Sequence, residues 1–326
     1  MASDPSRLLS SFRTRKVVVL GDLVADQYVY GQTDRVSREA PVLVVRHEFS
    51  EVTLGGAGNA AANARALGAS VTAVGVLGRD EMGESLRQRF AERGIHLVAV
   101  DAPFTETKTR ILAGGLNTTR QQMLRLDRGN VVPLAAKVAE GVARALEDAA
   151  QDADAVLVSD YGGGVLGEAT RAALRRLAAR GSLVSVDSRY SLDSLRGFRA
   201  AKPNEPELAA LTGLPVDDDA ALERAAAAGL GLLDAEVLLV TRGRRGMALL
   251  ERGGAVQLLP AHGTRAAVDV TGAGDTVMAA FTLGLAAGAG ARAAAELANV
   301  AGSLVILKPG TAPVSAEELA AELGAR

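Results

Sequence analysis

Apolar residues follow two alternating patterns over most of the chain. Short runs rich in Val and Leu, such as residues 16–21, are typical of strands buried in a parallel sheet, and most lead into stretches with helical spacing. The predicted strands are residues 16–21, 70–77, 155–158, 183–186 and 237–241, and the predicted helices are residues 81–93, 134–149, 168–180, 220–233, 291–307 and 316–323. This rhythm predicts an α/β fold with a doubly wound, mostly parallel sheet flanked by helices.

Two sections depart from this rhythm and alternate apolar with polar residues in short strands, at residues 28–53 and 105–127 approximately. Such alternation is typical of a sheet with one face in solvent. We predict a single domain over residues 1–326, with these sections inserted as a small antiparallel β lid over the functional site. Apolar lid positions such as Val42, Val44, Ile111 and Leu124 need cover, which predicts a homodimer joined through the lids.

Composition limits the possible partners. The 326 residues include 36 Lys and Arg against 38 Asp and Glu, so the net charge of -2 gives no basic field to attract nucleic acid or an anionic membrane. The chain has no cysteine, its N-terminus lacks the apolar core of a signal peptide, and no apolar run reaches membrane-spanning length. These features predict a cytoplasmic protein that recognises anions only locally.

The segment Asp269-Val-Thr-Gly-Ala-Gly-Asp275, followed by an apolar run to residue 288, predicts a glycine turn that begins a helix. Gly272, Ala273 and Gly274 remove side-chain bulk there, so that free N–H groups of the first helical turn can face a bound anion. Asp275 would repel a phosphate unless it accepts a proton from an attacking hydroxyl. The alternative is a glycine hinge with an acidic cap.

Polar residues also cluster where substrate hydroxyls could be bound. Asp22 and Asp26 follow the first predicted strand, and ligands of open α/β sheets gather at the carboxyl ends of strands. Gly55 and Gly56 allow close backbone approach at the start of a helix that carries Asn59, and a small polyol could bind there. The alternatives are turn or cap roles for the aspartates and an alanine-rich packing helix.

Taken in chain order, these motifs resemble those of the ribokinase-like (PfkB) carbohydrate kinase family, and the resemblance extends from Val17 to about Leu323. Residues 55–59 resemble the first family signature, and residues 269–275 resemble the second, D-x-T-G-A-G-D. The resemblance implies a ribokinase-like fold, ATP and Mg²⁺ as cofactors, and a small-molecule sugar or sugar phosphate as substrate. The rival interpretation is a catalytically silent nucleotide or sugar sensor.

The resemblance also implies roles for individual residues. Asp275 would be the catalytic base, and Gly272, Ala273 and Gly274 would form the anion hole. Asp26 would bind sugar hydroxyls, and Asp269 and Thr271 would lie at a monovalent cation site suited to K⁺. The nucleotide and the Mg²⁺–phosphate assembly would be held by Asn204, Glu207 (indirectly through Mg²⁺), Thr241, Arg242, Gly243, Gly246 and Asn299. For Asn204 and Glu207 helix capping is the alternative.

Within the family, residues 34–42, 121–127 and 159–161 resemble segments of D-glycero-D-manno-heptose 7-phosphate kinases. Glycines at residues 162–164 and Ser188-Arg189 stand where those kinases usually carry lysine. A phosphorylated substrate needs cations, and four residues are candidates to supply them: Lys108, Arg110, Arg125 and Arg189. Kinases for ribose, fructose or a nucleoside remain alternatives.

Overall fold

The computed structural model describes residues 5–115, 119–129, 133–263 and 266–324 of the chain. Its strands are β1 (Lys16–Gly21), β2 (Leu23–Val36), β3 (Leu43–Gly56), β4 (Ser70–Gly78), β5 (His96–Ala102), β6 (Glu106–Gly114), β7 (Gln121–Arg128), β8 (Ala155–Asp160), β9 (Leu183–Ser188), β10 (Ala200–Ala201), β11 (Val237–Thr241), β12 (Met247–Glu251) and β13 (Gln257–Leu259). Its α-helices are α1 (Pro5–Ser11), α2 (Ala57–Ala66), α3 (Glu81–Glu92), α4 (Ala136–Ala149), α5 (Glu168–Ala179), α6 (Glu205–Thr212), α7 (Asp219–Leu233), α8 (Ala273–Ala286), α9 (Ala291–Val305) and α10 (Ala316–Gly324).

The larger sheet has nine strands within the described residues, in the order β13-β12-β11-β10-β9-β8-β1-β4-β5. All pairings from β5 to β11 are parallel, and β12 and β13 add an antiparallel edge. The predicted α/β fold with a mostly parallel sheet is therefore confirmed. In open sheets of this kind ligands bind at the carboxyl ends of the strands.

Helices cover both faces of the larger sheet, which explains why its strands are continuous apolar runs. One buried cluster joins the strands to α2, α3, α8 and α9 and includes Phe90 and Phe281. The other cluster lies on the opposite face and includes Leu146, Leu174 and Leu222 from α4, α5 and α7. Helix α8 thus runs through the protein interior, and its first turn is fixed in position by that burial.

The second sheet, called the lid sheet below, has the order β3-β2-β6-β7. Its β2–β3 and β6–β7 pairings are antiparallel, and its central β2–β6 pairing is parallel. The prediction of short strands was wrong for β2 and β3, which have 14 residues each. The first residues of β2 and the last residues of β3, the roots of the lid sheet, are buried. Apolar–polar alternation stops there, so the sequence pattern predicted only the outer parts of the two strands.

Some described elements were not predicted, among them one helix and two strands. Helix α1 precedes the first strand, β5 forms one edge of the larger sheet, and β10 has only two residues. Strand β5 is partly exposed and carries mixed residues, so it lacks the apolar run that identified the central strands. None of the helices in the described ranges is long and apolar enough to cross a lipid bilayer.

Candidate active site

The glycine turn at residues 269–275 begins helix α8, as predicted, and the first turn of α8 lies against the carboxyl ends of β8 and β9. Gly272 is the N-cap of α8 and has a left-handed backbone with φ 76°. A side chain at Gly272 would also collide with the Asn59 amide, so glycine is required there for two reasons. The N–H groups of Gly274 and Asp275 have no acceptor among the described residues, so they can bind an anion.

The Asp275 carboxylate lies at the centre of a buried hydrogen-bond network and is 3% exposed. Asn59 Nδ2 donates to Oδ2 at 2.8 Å, and Ser159 Oγ donates to Oδ1 at 3.4 Å. The Tyr161 hydroxyl lies 3.1 Å from each carboxylate oxygen. Burial raises the pKa of Asp275 to about 7, although the hydrogen bonds from Asn59 and Tyr161 favour the ionised form. A carboxylate with this pKa suits general base catalysis near neutral pH.

Asn59 is held in one orientation by a chain of side chains between α2 and α8. Asn63 Nδ2 donates to the backbone oxygen of Asn59 at 2.9 Å and to its Oδ1 at 3.2 Å. Thr276 Oγ1 in turn donates to Asn63 Oδ1 at 2.9 Å. Because Asn59 Oδ1 accepts from Asn63, its Nδ2 is left to donate to Asp275. The structure therefore places Asn59, predicted as a substrate ligand, against the candidate base.

A buried ion pair lies beside the glycine turn. Lys202 Nζ is 2.9 Å from Asp187 Oδ2, and both side chains are largely buried. Burial disfavours the ammonium, but the Asp187 carboxylate outweighs it and holds the pKa of Lys202 above its usual range. A β-carbon added to Gly274 would lie 3.4 Å from Lys202 Nζ. A permanent positive charge therefore adjoins the anion-binding turn.

Asp22 has a different role from the one predicted for it. Its buried carboxylate accepts hydrogen bonds from the N–H groups of Tyr161 at 2.7 Å, Gly163 at 3.1 Å and Val165 at 3.3 Å. Burial, and then the neighbouring Asp160, raise its pKa to about 6. The substrate-ligand prediction for Asp22 is thus corrected, because this carboxylate anchors the loop at residues 161–165.

Asp26 lies at the root of the lid sheet, where the first strand hairpin meets α2. Its Oδ1 pairs with Arg110 Nη1 at 2.6 Å; the Asp26 side chain is buried and that of Arg110 is partly buried. A side chain on Gly55 would overlap the Asp26 carboxylate, and Gly56 adopts φ 55° as α2 begins. The structure therefore brings together Asp26, Gly55, Gly56 and Arg110 from three separate sequence segments.

The other predicted substrate cations differ in how close they come to Asp275. Lys108 Nζ lies 4.8 Å from the centroid of the Tyr161 ring, which itself contacts Asp275. Arg125 faces Arg110 in the β6–β7 register but pairs with Asp127 at 2.7 Å. Arg189 donates its backbone N–H to Asp160, and its guanidinium lies 5.7 Å from the Tyr190 ring.

Asn204 and Glu207 form a reciprocal capping box at the start of α6. Asn204 N–H donates to Glu207 Oε2 and Glu207 N–H donates to Asn204 Oδ1, both at 2.8 Å. The capping alternative is thus confirmed. Asn204 also forms a parallel bridge with Thr241, so both residues lie at the strand ends. Glu207 Oε1 has no hydrogen-bond partner among the described residues.

The turn after β11 shows where the predicted nucleotide contacts lie. Gly243 and Gly246 adopt positive φ angles of 55° and 87°. The Arg242 guanidinium is buried and pairs with Glu205 at 3.0 Å and Asp219 at 2.7 Å. These two carboxylates hold the Arg242 guanidinium, so a contact of Arg242 with the nucleotide stays a prediction for the turn and not for this side chain.

Two further predicted residues are Asn299, midway along α9, and Asp269, which precedes α8. Asn299 donates to the backbone oxygen of Pro260 at 2.7 Å. Asp269 accepts from the N–H groups of Thr271 at 2.9 Å and Gly310 at 3.0 Å. Burial opposes ionisation of Asp269, but these hydrogen bonds outweigh it and lower its pKa. An ionised Asp269 fits a monovalent cation, and it also ties the glycine turn to residue 310.

Sequence reasoning did not assign roles to Ser159, Tyr161, Asp187 and Lys202. The S-D-Y triplet at residues 159–161 spans the end of β8 and was the available signal for Ser159 and Tyr161. Lys202 comes directly after β10, which is too short to be recognised from its pattern. The pairing of Lys202 with Asp187 depends on β9 and β10 being neighbours, which a sequence alone does not establish.

Comparisons with known proteins agree with the fold and with the motifs. Residues 14–318 match the family described as pfkB family carbohydrate kinase. The Bifunctional protein HldE of Desulfatibacillum aliphaticivorans is 38% identical over 323 residues, which cover 97% of this chain and 64% of that protein. The Bifunctional protein HldE of Caulobacter vibrioides is 42% identical over 325 residues, covering 97% and 65%. The chain therefore spans less than two thirds of the length of these relatives.

Solved structures share the fold. Phosphofructokinase-2 from Escherichia coli has a TM-score of 0.77 at 19% identity, with 95% of this chain and 98% of that chain covered. Ribokinase from Arabidopsis thaliana has a TM-score of 0.69 at 22% identity, with the same coverage of 95% and 98%. With the match over residues 14–318, the chain belongs to the pfkB family of carbohydrate kinases.

Proposed function

We propose that this protein transfers the γ-phosphoryl group of ATP to a sugar phosphate, with D-glycero-D-manno-heptose 7-phosphate as acceptor and the 1,7-bisphosphate as product. The observation that carries the proposal is Asp275, a buried carboxylate with a pKa of about 7, placed at the helix start where free N–H groups can hold a phosphoryl group. We expect the reaction to take place in the cytoplasm, where ATP is available.

In the proposed step, Asp275 accepts the proton of the acceptor hydroxyl while the oxygen of that hydroxyl forms a bond to the γ-phosphorus. The bond between the γ-phosphorus and the β–γ bridging oxygen breaks, and ADP leaves with the electron pair. The N–H groups of Gly274 and Asp275 and the nearby Lys202 ammonium stabilise the transferring charge. General base catalysis contributes about 10²- to 10⁴-fold, and positioning and electrostatics contribute the rest.

The residues around the turn fit the cofactors that the family resemblance implies. Bound Mg²⁺ would neutralise the phosphate charge. Glu207 keeps Oε1 without a hydrogen-bond partner among the described residues, so it can hold a water ligand of that ion. Asp269, whose pKa is lowered, can contribute a carboxylate oxygen to K⁺ beside Thr271. The left-handed Gly272 lets the backbone approach the phosphates of ATP.

The choice of a phosphorylated sugar rests on two observations. Relatives 38% and 42% identical over 97% of this chain carry the name Bifunctional protein HldE, and residues 34–42 and 121–127 resemble heptose 7-phosphate kinases. In addition, Lys108 and Arg110 from the lid sheet lie beside Tyr161 and Asp26, so that cations surround the candidate acceptor site.

A coupled ADP-release assay with purified protein, ATP and Mg²⁺ tests the proposal. The acceptors are heptose 7-phosphate, unphosphorylated heptose, ribose, fructose and a nucleoside. We expect the highest kcat/KM for heptose 7-phosphate. A higher kcat/KM for ribose or fructose would replace the proposed substrate, whereas ADP release that no acceptor stimulates would contradict the kinase proposal and favour a sensor.

We also propose that two copies associate through their lid sheets. The lid sheet and the β2–β3 connection expose large apolar side chains, including Leu126 at 62% and Val42 at 57%. Further exposed members are Val36, Leu43, Phe49, Met123 and Leu124. Light scattering at micromolar protein tests this association. We expect the mass of a dimer for the parent and of a monomer for Leu124→Glu/Leu126→Glu, whereas a monomeric parent would contradict the proposal.

A further inference from the structure

The contacts of Tyr161 point to a role that extends the proposed function and rests on it. Its hydroxyl lies 3.1 Å from both oxygens of the Asp275 carboxylate, so a single donor spans the group. The other donors each reach one oxygen, Asn59 at 2.8 Å and Ser159 at 3.4 Å. Asn59 and Ser159, on opposite oxygens, thus fix the rotation of the carboxylate, and Tyr161 is the donor within reach of both oxygens at once.

The loop that carries Tyr161 is anchored independently of Asp275. Asp22 accepts from three N–H groups of residues 161–165, and Asp160 Oδ1 accepts from Gly162 N–H at 3.1 Å. Both aspartates are buried, so these bonds are made away from competing water. The backbone of the loop therefore sets the position of the Tyr161 ring, and the place of its hydroxyl beside Asp275 does not depend on the Asp275 side chain.

The lid sheet also reaches Tyr161. Lys108 of β6 places Nζ over the ring at 4.8 Å from the centroid, which is a cation–π contact. A β-carbon on Gly162 would meet the Tyr190 ring, so the loop has little room for other side chains at its exposed end. Tyr161 therefore lies between the lid sheet on one side and the candidate base on the other.

We propose that Tyr161 is a positioning residue that holds the Asp275 carboxylate in place, favours its ionised form by hydrogen bonding to both oxygens and links it to the lid sheet through Lys108. A donor hydrogen bond stabilises the charged form of a carboxylate more than its neutral form. Burial, and the carboxylates of Asp275 and Asp187, raise the pKa of Tyr161 well above its usual range. The phenol consequently stays protonated and can act as a donor at every working pH.

All charged groups that face this contact contribute to its pH dependence. Asp275 is faced by Asp187 from β9 and by Lys202 after β10, besides Tyr161 itself. Tyr161 is faced by Asp275, Asp187 and Asp26, and by Lys108 from the lid sheet. Since Tyr161→Phe leaves each of these charges in place, a change in the pH profile reports the lost hydrogen bond.

The test compares Tyr161→Phe with the parent and with Tyr190→Phe. Tyr190 is a matched control because it lies beside Gly162 of the same loop, while the residue is 70% exposed. A hydrogen bond to a charged group is worth about one to two pKa units, and the long 3.1 Å contacts place this one at the lower end. We expect the acidic limb of kcat/KM for heptose 7-phosphate to move up by about one pH unit in Tyr161→Phe. This shift lowers kcat/KM about five-fold at pH 7 and leaves it close to the parent at pH 9.

A second readout needs no substrate. The pH dependence of the unfolding midpoint in urea should show the same upward shift in Tyr161→Phe and none in Tyr190→Phe. A uniform loss at every pH, with an unmoved acidic limb, would overturn the inference and leave a structural role. If the parent shows no acceptor-dependent ADP release, the proposed function fails, and the urea measurement still decides whether Tyr161 sets the ionisation of Asp275.

Discussion

Replacing Asp275 by asparagine is expected to make the protein more stable while removing its proposed base. The carboxylate is buried, and its pKa rises from an ordinary value of 3.8 to about 7 in the fold. Because the folded-state pKa is raised, the ionised form destabilises the fold, and stability is lost as the pH rises from 3.8 toward 7. Above pH 7 the full loss in the free energy of unfolding is present, and at about 1.36 kcal/mol per pKa unit it amounts to about 4 kcal/mol.

The asparagine side chain fits the same hydrogen-bond network. Its oxygen can accept from Asn59 Nδ2, and its amide can donate to the hydroxyl oxygens of Tyr161 or Ser159, which rotate to accept. The gain in the free energy of unfolding should therefore be about 4 kcal/mol at pH 8 and about 2 kcal/mol at pH 5. At pH 8 this corresponds to an increase in Tm of about 6 °C for a chain of this length.

Urea unfolding of the parent and Asp275→Asn at pH 5 and pH 8 measures both the sign and the pH dependence. Asp152→Asn is the matched control, because Asp152 is an exposed carboxylate on the loop after α4. That control should stay within about 0.5 kcal/mol of the parent. A loss of stability in Asp275→Asn at pH 8, or a gain of the same size at pH 5, would refute the reasoning from burial.

Two further substitutions test the surroundings of Asp275. Lys202→Met leaves the Asp187 carboxylate buried without its partner 2.9 Å away. Urea unfolding should therefore show a free energy of unfolding lower by about 3–5 kcal/mol, and Lys202→Met/Asp187→Asn should recover most of that loss. Equal losses in the single and the double variant would contradict the ion-pair argument. A charge-assisted hydrogen bond contributes about 1.5–3 kcal/mol, so Arg189→Ala should lower kcat/KM for heptose 7-phosphate by about 10- to 100-fold, mainly through KM. The kcat/KM for unphosphorylated heptose should change far less. Equal losses for the two acceptors would rule out Arg189 as a phosphate contact.

Much of the larger sheet could be predicted because its strands are buried on both faces. Runs such as β1 and β11 are apolar throughout, and the glycine turn before α8 identified both the helix start and Asp275. The exposed edge strand β5 and the two-residue β10 could not be predicted in this way, since neither forms a distinct apolar run. The lengths of β2 and β3 were underestimated because their roots are buried where alternation stops.

For the candidate active site, the sequence indicated the residue types but not every direction in which they point. Asp22 and Asp26 both follow β1, yet Asp22 turns to the loop at residues 161–165 while Asp26 pairs with Arg110 of the lid sheet. Arg242 lies in the predicted glycine turn after β11, but acidic residues on two helices hold its guanidinium. Such choices depend on which elements become neighbours, and no local pattern records them.

The central claim is that Asp275 takes the proton of the acceptor hydroxyl at the anion-binding start of α8. Its most direct test is acceptor-dependent ADP release at saturating ATP, Mg²⁺ and heptose 7-phosphate, measured for the parent and Asp275→Asn together with the dissociation constant for ATP. The account predicts that kcat falls by about two to four decades while ATP binding is retained. Turnover by Asp275→Asn at the rate of the parent would contradict it.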